Sequence, residues 1–227
     1  MRKTLEQLAG DVGVRSVVIT GTGERVFCGG YDLGSVQRGL QDGELQDLLR
    51  CVREFPLPTI AAVNGHAIGA GLDLACSCDL RIVRHGSKIG LPAVRLGAAY
   101  HPDGLERILG VAPDLRLALL TGELLSADAV TGFADQVVPA DGLVPALATL
   151  VTALADASPA ALEYMLAATR RPVEDSPRRN SLLAWRRTVL AGPDVGEARR
   201  AREEGRSPNF APRNTGPDRL KEILHRC

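Results

Sequence analysis

Residues 58–79, PTIAAVNGHAIGAGLDLACSCD, carry the pattern that decides the fold of this 227-residue chain. The apolar run TIAAV lies between a proline and an Asn-Gly pair, which is typical of a short buried strand. Three glycines, Gly65, Gly69 and Gly71, predict a turn after it. The following segment, rich in Leu, Ala and Cys, predicts a buried helix. The stretch is therefore interpreted as strand, glycine turn and helix.

The predicted helix start is a candidate reaction centre. The first N–H groups of a helix have no intrahelical acceptor, so they attract a phosphate, a carboxylate or a developing oxyanion. Asp73 follows Ala70 by three residues, about one helical turn, on the same helix face. On these residues alone, Asp73 is either an active-site carboxylate or a favourable partner of the helix dipole. The glycine spacing matches neither G-x-G-x-x-G nor G-x-x-x-x-G-K-[ST].

A second unit of the same kind precedes the first. Residues 15–20 predict a buried strand that stops at a Gly-Thr-Gly turn, and residues 26–28 predict a short extended piece. Gly29 and Gly30 then form another glycine turn. Two such turns, brought together, would present two converging backbone N–H groups, which is what an oxyanion hole requires.

Composition excludes several classes of function. The 27 basic and 27 acidic residues balance, so no nucleic-acid partner is expected. Neither a signal pattern nor an apolar run of membrane-spanning length is visible, and no membrane partner is expected. Five cysteines, an odd number, indicate reduced thiols and a cytoplasmic location. Cys76 and Cys78 face different sides of a helix, so core packing is favoured over metal binding.

The remaining elements divide the chain into a mixed α/β part and a helical part. Further strands are predicted at 80–83 and 135–138, with 89–96 extended and residues 98–104 forming a polar loop. Helices are predicted at the ranges 2–9, 43–55, 105–109, 113–121, 126–132, 142–156, 158–170, 180–190, 194–205 and 218–226. The domain hypothesis is a core at 1–140, a helical oligomerisation region at 141–210, and a linker with a short terminal helix at 211–227.

Five segments in this order resemble the crotonase superfamily, the enoyl-CoA hydratase/isomerase fold. They are ERVFCGGYDL, PTIAAVNGHAIGAGLDLACSCDLRIV, LPAVRLGAA, LTGELLSADAVTGFADQVVP and DVGEARRAREEGRSPNF. The resemblance implies an α/β fold, a spiral of β-β-α turns with a helical C-terminal region, packed as a homotrimer or homohexamer. It also implies an acyl-CoA thioester as substrate, with a carrier-protein thioester left open, and no cofactor beyond the coenzyme A of the substrate.

The resemblance assigns candidate site residues. Tyr31 and Ala70 correspond to the backbone N–H donors of an oxyanion hole that stabilises a thioester enolate. The residues implied to bind substrate or CoA are Arg25, Cys28, Tyr31, Asp32, Leu33, Gly34, Gly69 and Ala70. The family often has a basic residue where this chain has Gly34, and Arg25 is either its substitute or a solvated surface residue.

The departures from the family pattern concern the acid–base residues. Family hydratases use two glutamates, whose positions here hold Asp73 and Ala93. An aspartate at the first position resembles the dienoyl-CoA isomerase branch, whose further acid falls on His101. A tyrosine at Tyr100 resembles the methylmalonyl-CoA decarboxylase branch. The expected catalytic side chains are therefore Asp73, His101 and Tyr100.

Three functions remain open at this point. The first is a hydratase/isomerase-type enzyme that uses Asp73, and the second is a decarboxylase or hydrolase that uses Tyr100 or His101. The third is an acyl-CoA-binding protein without catalysis. The N-terminal hairpin typical of the family is also expected to be missing, because the chain starts inside the helix that normally follows it.

Overall fold

The computed structural model describes residues 1–31, 42–170 and 176–212. Within them, eight strands form two sheets of four strands each. The strands are β1 (Val17–Thr20), β2 (Val26–Cys28), β3 (Thr59–Val63), β4 (His66–Ile68), β5 (Leu80–Arg84), β6 (Lys88–Gly90), β7 (Leu125–Ser126) and β8 (Gln136–Val138).

Helices follow or flank these strands. The α-helices are α1 (Arg2–Gly10), α2 (Asp42–Arg53), α3 (Ala70–Ser77), α4 (Pro102–Val111), α5 (Arg116–Thr121), α6 (Leu143–Ala155), α7 (Pro159–Thr169), α8 (Ser176–Leu190) and α9 (Pro193–Glu204). Short 3-10 helices lie at Pro92–Leu96, Pro113–Leu115 and Ala127–Ala129.

The chain winds as a spiral of β-β-α turns. Strands β1 to β6 alternate between the two sheets, β7 joins the sheet of β6, and β8 returns to the other. One sheet has the order β1-β3-β5-β8 and the other β2-β4-β6-β7. All neighbours in the first sheet are parallel. In the second sheet only the β6–β7 pair is antiparallel. The α/β spiral predicted from the sequence is confirmed, and β3 with α3 forms its central turn.

Burial explains why β3 is a continuous apolar run. Every residue of β3 is buried, and its parallel neighbours β1 and β5 cover both of its edges. The adjoining core includes Phe55, Ile82 and Phe133, each almost fully shielded from solvent. Cys76 and Cys78 are buried free thiols, as expected for packing residues. Burial raises the pKa of both thiols to about 12.

Four local predictions were wrong. The helix predicted at 126–132 is only a 3-10 helix, Ala127–Ala129. The glycine turn after β3 contains a short strand, β4, because its backbone pairs with β2 on one side and β6 on the other. Residues 89–96 are not extended throughout, since a 3-10 helix begins at Pro92. The predicted polar loop ends early, because Pro102 occupies the first position of α4, where a missing N–H costs nothing.

The helices after β8 fall close to their predicted ranges. Arg170, directly after α7, ties this part of the chain to the sheets: its Nε donates to Asp79 Oδ1 at 2.7 Å and its Nη1 to the Phe55 carbonyl at 2.6 Å. The helix predicted at 218–226 lies outside the described residues.

In the described part of the chain, no single helix is long and apolar enough to cross a membrane. Helices α6 and α7 meet the length and composition criteria only as a pair, which is bent by 110°.

Candidate active site

The two glycine turns meet at the start of α3. Gly30 adopts φ +91° and Gly69 adopts φ +58°, both in the region that favours glycine. A Cβ added to Gly30 would lie 2.9 Å from the Ile68 carbonyl oxygen and 3.2 Å from Ala70 N. The backbone just before Tyr31 therefore lies against the first N–H of α3. Among the described residues, Ala70 N has no hydrogen-bond acceptor, as expected at a helix N-terminus.

Asn64 fixes the relative position of the two units. Its side-chain Nδ2 donates to the carbonyls of Gly21 (2.9 Å) and Gly23 (2.7 Å), and its Oδ1 accepts from Gly21 N at 3.0 Å. The turn after β1 is thus joined to the turn after β3. Because β2 and β4 leave these turns as paired neighbours, this link positions the start of α3 against Gly30.

Asp73 lies in the first turn of α3 and its side chain is completely buried. Arg107, from α4, forms a two-point ion pair with it: Nε lies 2.6 Å from Oδ1 and Nη2 lies 3.1 Å from Oδ2. Tyr100 donates its hydroxyl proton to Oδ2 at 3.0 Å. Both carboxylate oxygens are therefore hydrogen-bonded within the protein, and the charge of Asp73 is balanced by a guanidinium.

The protonation of the two partners follows from this geometry. Burial opposes the positive charge of Arg107, but the hydrogen bonds and the charge of Asp73 outweigh it and raise the pKa of Arg107. Burial, followed by the charge of Asp73 and the hydrogen bond to it, raises the pKa of Tyr100 above its ordinary range. Arg107 is thus a permanent cation, and Tyr100 a neutral donor, at physiological pH.

The ion pair continues to α2 through Gln46. Arg107 Nη2 also donates to Gln46 Oε1 at 3.2 Å. The amide nitrogen of the same side chain, Gln46 Nε2, is inaccessible to solvent and has no hydrogen-bond partner among the described residues. Three helices, α2, α3 and α4, therefore contribute one polar residue each to a connected cluster: Gln46, Asp73 and Arg107.

Gly104 gives Tyr100 and Asp73 room to meet. A Cβ at this position would lie 2.6 Å from Asp73 Oδ2 and would overlap the Tyr100 ring at Cε1. Gly104 is buried in the first turn of α4, one turn before Arg107. Gly104, Arg107 and Gln46 belong to the site although the sequence alone does not single them out. For Gly104 and Arg107 the available signal was their position on the same helix face as the buried Ile108. The sequence does not show that this face meets Asp73.

Ala93 and His101 lie outside this hydrogen-bonded cluster. Ala93 is half-buried in the 3-10 helix Pro92–Leu96 and brings no acid–base group. His101 is the N-cap of α4, and its Nδ1 accepts from Asp103 N at 3.3 Å. The imidazole thus caps the helix, and this hydrogen bond explains its position. The catalytic role expected of His101 stays a prediction.

The other predicted residues are distributed around the first glycine turn. Cys28 and Tyr31 are half-buried, and Arg25 is exposed just before β2. Asp32, Leu33 and Gly34 lie outside the described residues. Within the described ranges, no cluster of three or more histidine, cysteine or acidic side chains is arranged to hold a metal ion.

Comparison with known proteins identifies the family. The family model described as enoyl-CoA hydratase/isomerase matches residues 1–207. The chain belongs to the enoyl-CoA hydratase/isomerase family. Among relatives, a probable enoyl-CoA hydratase of Mycobacterium leprae is 36% identical, over 88% of this chain and 81% of the relative. The carnitinyl-CoA dehydratase of Proteus mirabilis is 30% identical, over 88% of this chain and 82% of the relative.

Solved structures of the enoyl-CoA hydratase/isomerase family share the fold. An enoyl-CoA hydratase/carnitine racemase from Magnetospirillum magneticum superposes with a TM-score of 0.80 at 27% identity, covering 92% of this chain and 83% of that one. An enoyl-CoA hydratase from Polaromonas sp. JS666 gives a TM-score of 0.81 at 26% identity, covering 92% and 87%. The resemblance to the crotonase superfamily is thereby confirmed.

Proposed function

We propose that this protein is an acyl-CoA-processing enzyme that stabilises a thioester enolate. Tyr31 N and Ala70 N are the proposed donors to the thioester carbonyl oxygen. The observation that carries the proposal is the close approach of Gly30 to Ala70 N, at the start of a helix whose dipole favours negative charge. Membership of the enoyl-CoA hydratase/isomerase family supports acyl-CoA as the substrate class. The enzyme uses no separate cofactor, since coenzyme A enters as part of the substrate.

The chemistry proposed for the site is enolate formation with little addition of water. Efficient hydration needs two acid–base groups that hold and activate a water molecule, and here Ala93 supplies none. Both carboxylate oxygens of Asp73 are already engaged by Arg107 and Tyr100, so Asp73 alone does not replace the missing pair of groups. Isomerisation needs one group that takes a proton from one carbon and returns it to another, and decarboxylation needs no base to form the enolate. With the enolate oxygen stabilised, these reactions are therefore favoured over hydration, which needs two acid–base groups.

A screen with acyl-CoA thioesters tests this proposal. The panel contains a 2-enoyl, a 3-enoyl, a saturated and a malonyl-type thioester, and the products are separated by chromatography, with free thiol measured for hydrolysis. We expect double-bond migration or loss of carbon dioxide to exceed water addition. An enzyme that hydrates the 2-enoyl thioester faster than it transforms any other member would contradict the proposed chemistry.

A second function is an acyl-CoA-binding protein without turnover. The observation that favours it is that both oxygens of Asp73 are engaged by Arg107 and Tyr100. The same panel separates the two functions, because a binder holds thioesters with measurable affinity and releases them unchanged. The Asp73→Asn variant gives a second criterion. If the protein is an enzyme, the substitution removes its base and lowers kcat, whereas in a binding protein it changes only the affinity or the stability.

The proposed assembly is a homotrimer or homohexamer in the cytoplasm. Large apolar side chains are unusually exposed on the outer helices, with Leu117 at 69%, Leu120 at 72% and Val144 at 74%. Such patches commonly mark protein interfaces. Buried cysteines that form no disulfide, such as Cys76 and Cys78, are typical of a reducing compartment. Light scattering coupled to size-exclusion chromatography gives the subunit number directly.

A further inference from the structure

Asp73 is closed off from the space around it. Its side chain has no exposed surface, and its two oxygens accept hydrogen bonds from Arg107 and Tyr100. A substrate atom reaches the carboxylate only if it displaces one of these two partners. A direct proton transfer between Asp73 and an acyl chain is therefore incompatible with the described geometry.

Tyr100 is the partner of Asp73 that stays open to the outside. Tyr100 is half-buried, whereas the side chain of Arg107 is only 8% exposed. After burial and the contact with Asp73, the charge of nearby Tyr31 is a further cause that raises the pKa of Tyr100. The two phenols are thus neighbours, and Tyr31 is itself half-buried. Because Tyr31 N is a proposed donor to the thioester oxygen, Tyr100 connects Asp73 with the proposed thioester site.

The hydrogen bond to Asp73 fixes the orientation of the Tyr100 hydroxyl. An ionised carboxylate only accepts, so the phenol donates its single proton to Oδ2, at 3.0 Å, and its lone pairs point away from Asp73. Burial and the charge of Asp73 raise the pKa of Tyr100, so the phenol keeps its proton at physiological pH and is not a phenolate base. Tyr100 can therefore accept a proton only if its own proton moves to Asp73 in the same step.

We propose that Tyr100 exchanges a proton with the acyl chain, and that Asp73 accepts the proton that Tyr100 releases. The C–H bond beside the thioester carbonyl breaks as an O–H bond forms at Tyr100, and the original hydroxyl proton passes to Asp73 Oδ2. The electron pair of the C–H bond becomes the enolate, whose oxygen is held by the two backbone N–H groups. Reversal of the two transfers returns a proton to the same or to another carbon, which is what double-bond migration requires. This inference rests on the proposed function and names the residue that touches the reacting carbon.

Loss of deuterium from butyryl-CoA labelled at the α-carbon tests this relay. Butyryl-CoA has no double bond to hydrate and no carboxylate to lose, so exchange with water reports proton transfer alone, and mass spectrometry measures it. We expect exchange on the wild-type protein and a fall of at least about 10²-fold in both Tyr100→Phe and Asp73→Asn. The calorimetric affinity for butyryl-CoA should stay close to the wild-type value, which a merely structural loss would not allow. Tyr164→Phe, whose ring packs edge-on against Trp185, is the matched control and should keep the wild-type rate.

The variants distinguish the relay from direct catalysis by Asp73. If Asp73 took the proton itself, Tyr100→Phe would free one of its oxygens and would keep or raise the rate. An unchanged or raised rate in either single variant therefore overturns the inference, while the proposed function stands. The double variant should exchange no more slowly than the slower single variant, because both groups serve one transfer.

Gly104→Ala is the second test of the relay, and it is decisive if Tyr100→Phe does not fold. It keeps both groups, but the added methyl group meets the Tyr100 ring and Asp73 Oδ2 and separates them. We expect the same loss of exchange, and thermal unfolding shows which variants are folded. A folded Gly104→Ala that exchanges at the wild-type rate would contradict the relay.

The behaviour of the wild-type protein separates the inference from the proposed function. If it exchanges no deuterium but still removes carbon dioxide from a malonyl-type thioester, the relay is wrong and the proposed function stands. If it exchanges none and transforms no member of the thioester panel, the proposed function fails and the relay fails with it.

Discussion

Arg107 Nε lies 2.6 Å from Asp73 Oδ1, and both side chains are almost completely buried, at 8% and 0% exposure. Asp73, the residue that the sequence singles out as a catalytic carboxylate, is therefore one half of a buried ion pair. The pair joins α3, where the thioester is proposed to bind, to α4. The first consequence of this ion pair concerns the stability of the folded protein.

Asp73→Asn should lower the free energy of unfolding by about 3–5 kcal/mol, because it leaves the Arg107 guanidinium buried without a counter-charge. Urea denaturation measures the change. Asp47→Asn is the matched control, since Asp47 forms an exposed pair with Arg50 on α2 and should cost less than about 1 kcal/mol. Equal losses in the two variants would show that the Asp73–Arg107 pair is not effectively buried.

Gly104→Ala tests the packing that allows Tyr100 to reach Asp73. The added methyl group meets Asp73 Oδ2 and the Tyr100 ring, so we expect a loss of about 1–3 kcal/mol and impaired activity. Gly110→Ala, in the same helix, meets no atom within 4 Å and should be neutral or stabilising by up to about 1 kcal/mol. Thermal and urea unfolding of both variants measure the change in the free energy of unfolding. A neutral Gly104→Ala would contradict the described geometry.

Tyr100→Phe tests the hydrogen bond to Asp73 and its pH dependence. Removing the hydroxyl should cost about 1.5–3 kcal/mol at neutral pH, as is typical for a bond to a charged group. The pKa of Tyr100 is raised in the folded protein, so its stabilisation is complete below about pH 10 and declines as the unfolded tyrosine ionises above it. The difference in stability between the wild-type protein and Tyr100→Phe should therefore shrink in alkali. If the difference in stability grew with pH instead, the pKa of Tyr100 would be lowered in the folded protein, contrary to the assigned direction.

Hydration of crotonyl-CoA should be slow in the wild-type protein. Loss of one acid–base partner typically costs about 10²–10⁴ in rate, and Ala93 occupies the position of that partner. Ala93→Glu should raise the hydration rate only in part, because Arg107 still engages Asp73. Loss of the enoyl absorbance measures the rate, and Val94→Glu, at an exposed neighbouring position, is the control. Wild-type turnover equal to that of an efficient family hydratase would refute this account.

The strand and the helix of the central turn are predicted well because their signals are local, whereas the spiral itself is implied by the resemblance to the crotonase superfamily. The run Thr59–Val63 and the glycines after it are sufficient to predict β3, the turn and α3. The strand β4 escapes prediction, since three residues between glycines become a strand only through pairing with β2 and β6. The helix start at Pro102 was predictable in principle, from a proline in the first position.

The candidate site was predicted only in part because its contacts are long-range. Asp73 and Ala70 are three residues apart, so their proximity follows from helix geometry. Arg107 follows Asp73 by 34 residues and Gln46 precedes Arg107 by 61, and nothing local indicates that these side chains meet. A buried aspartate requires a partner, but the sequence does not show which of many arginines supplies it.

Infrared spectroscopy of a bound thioester tests the central claim most directly. In butyryl-CoA labelled with ¹³C at the thioester carbonyl, the stretching frequency reports polarisation of the C=O bond. Ala70→Pro removes the proposed N–H donor at the first position of α3, where proline is tolerated, and Ala70→Gly keeps it. The account predicts a lower carbonyl frequency on the wild-type protein and on Ala70→Gly than in free butyryl-CoA, and a loss of most of this shift on Ala70→Pro. An unshifted frequency on the wild-type protein, or an equal shift on Ala70→Pro, would contradict it.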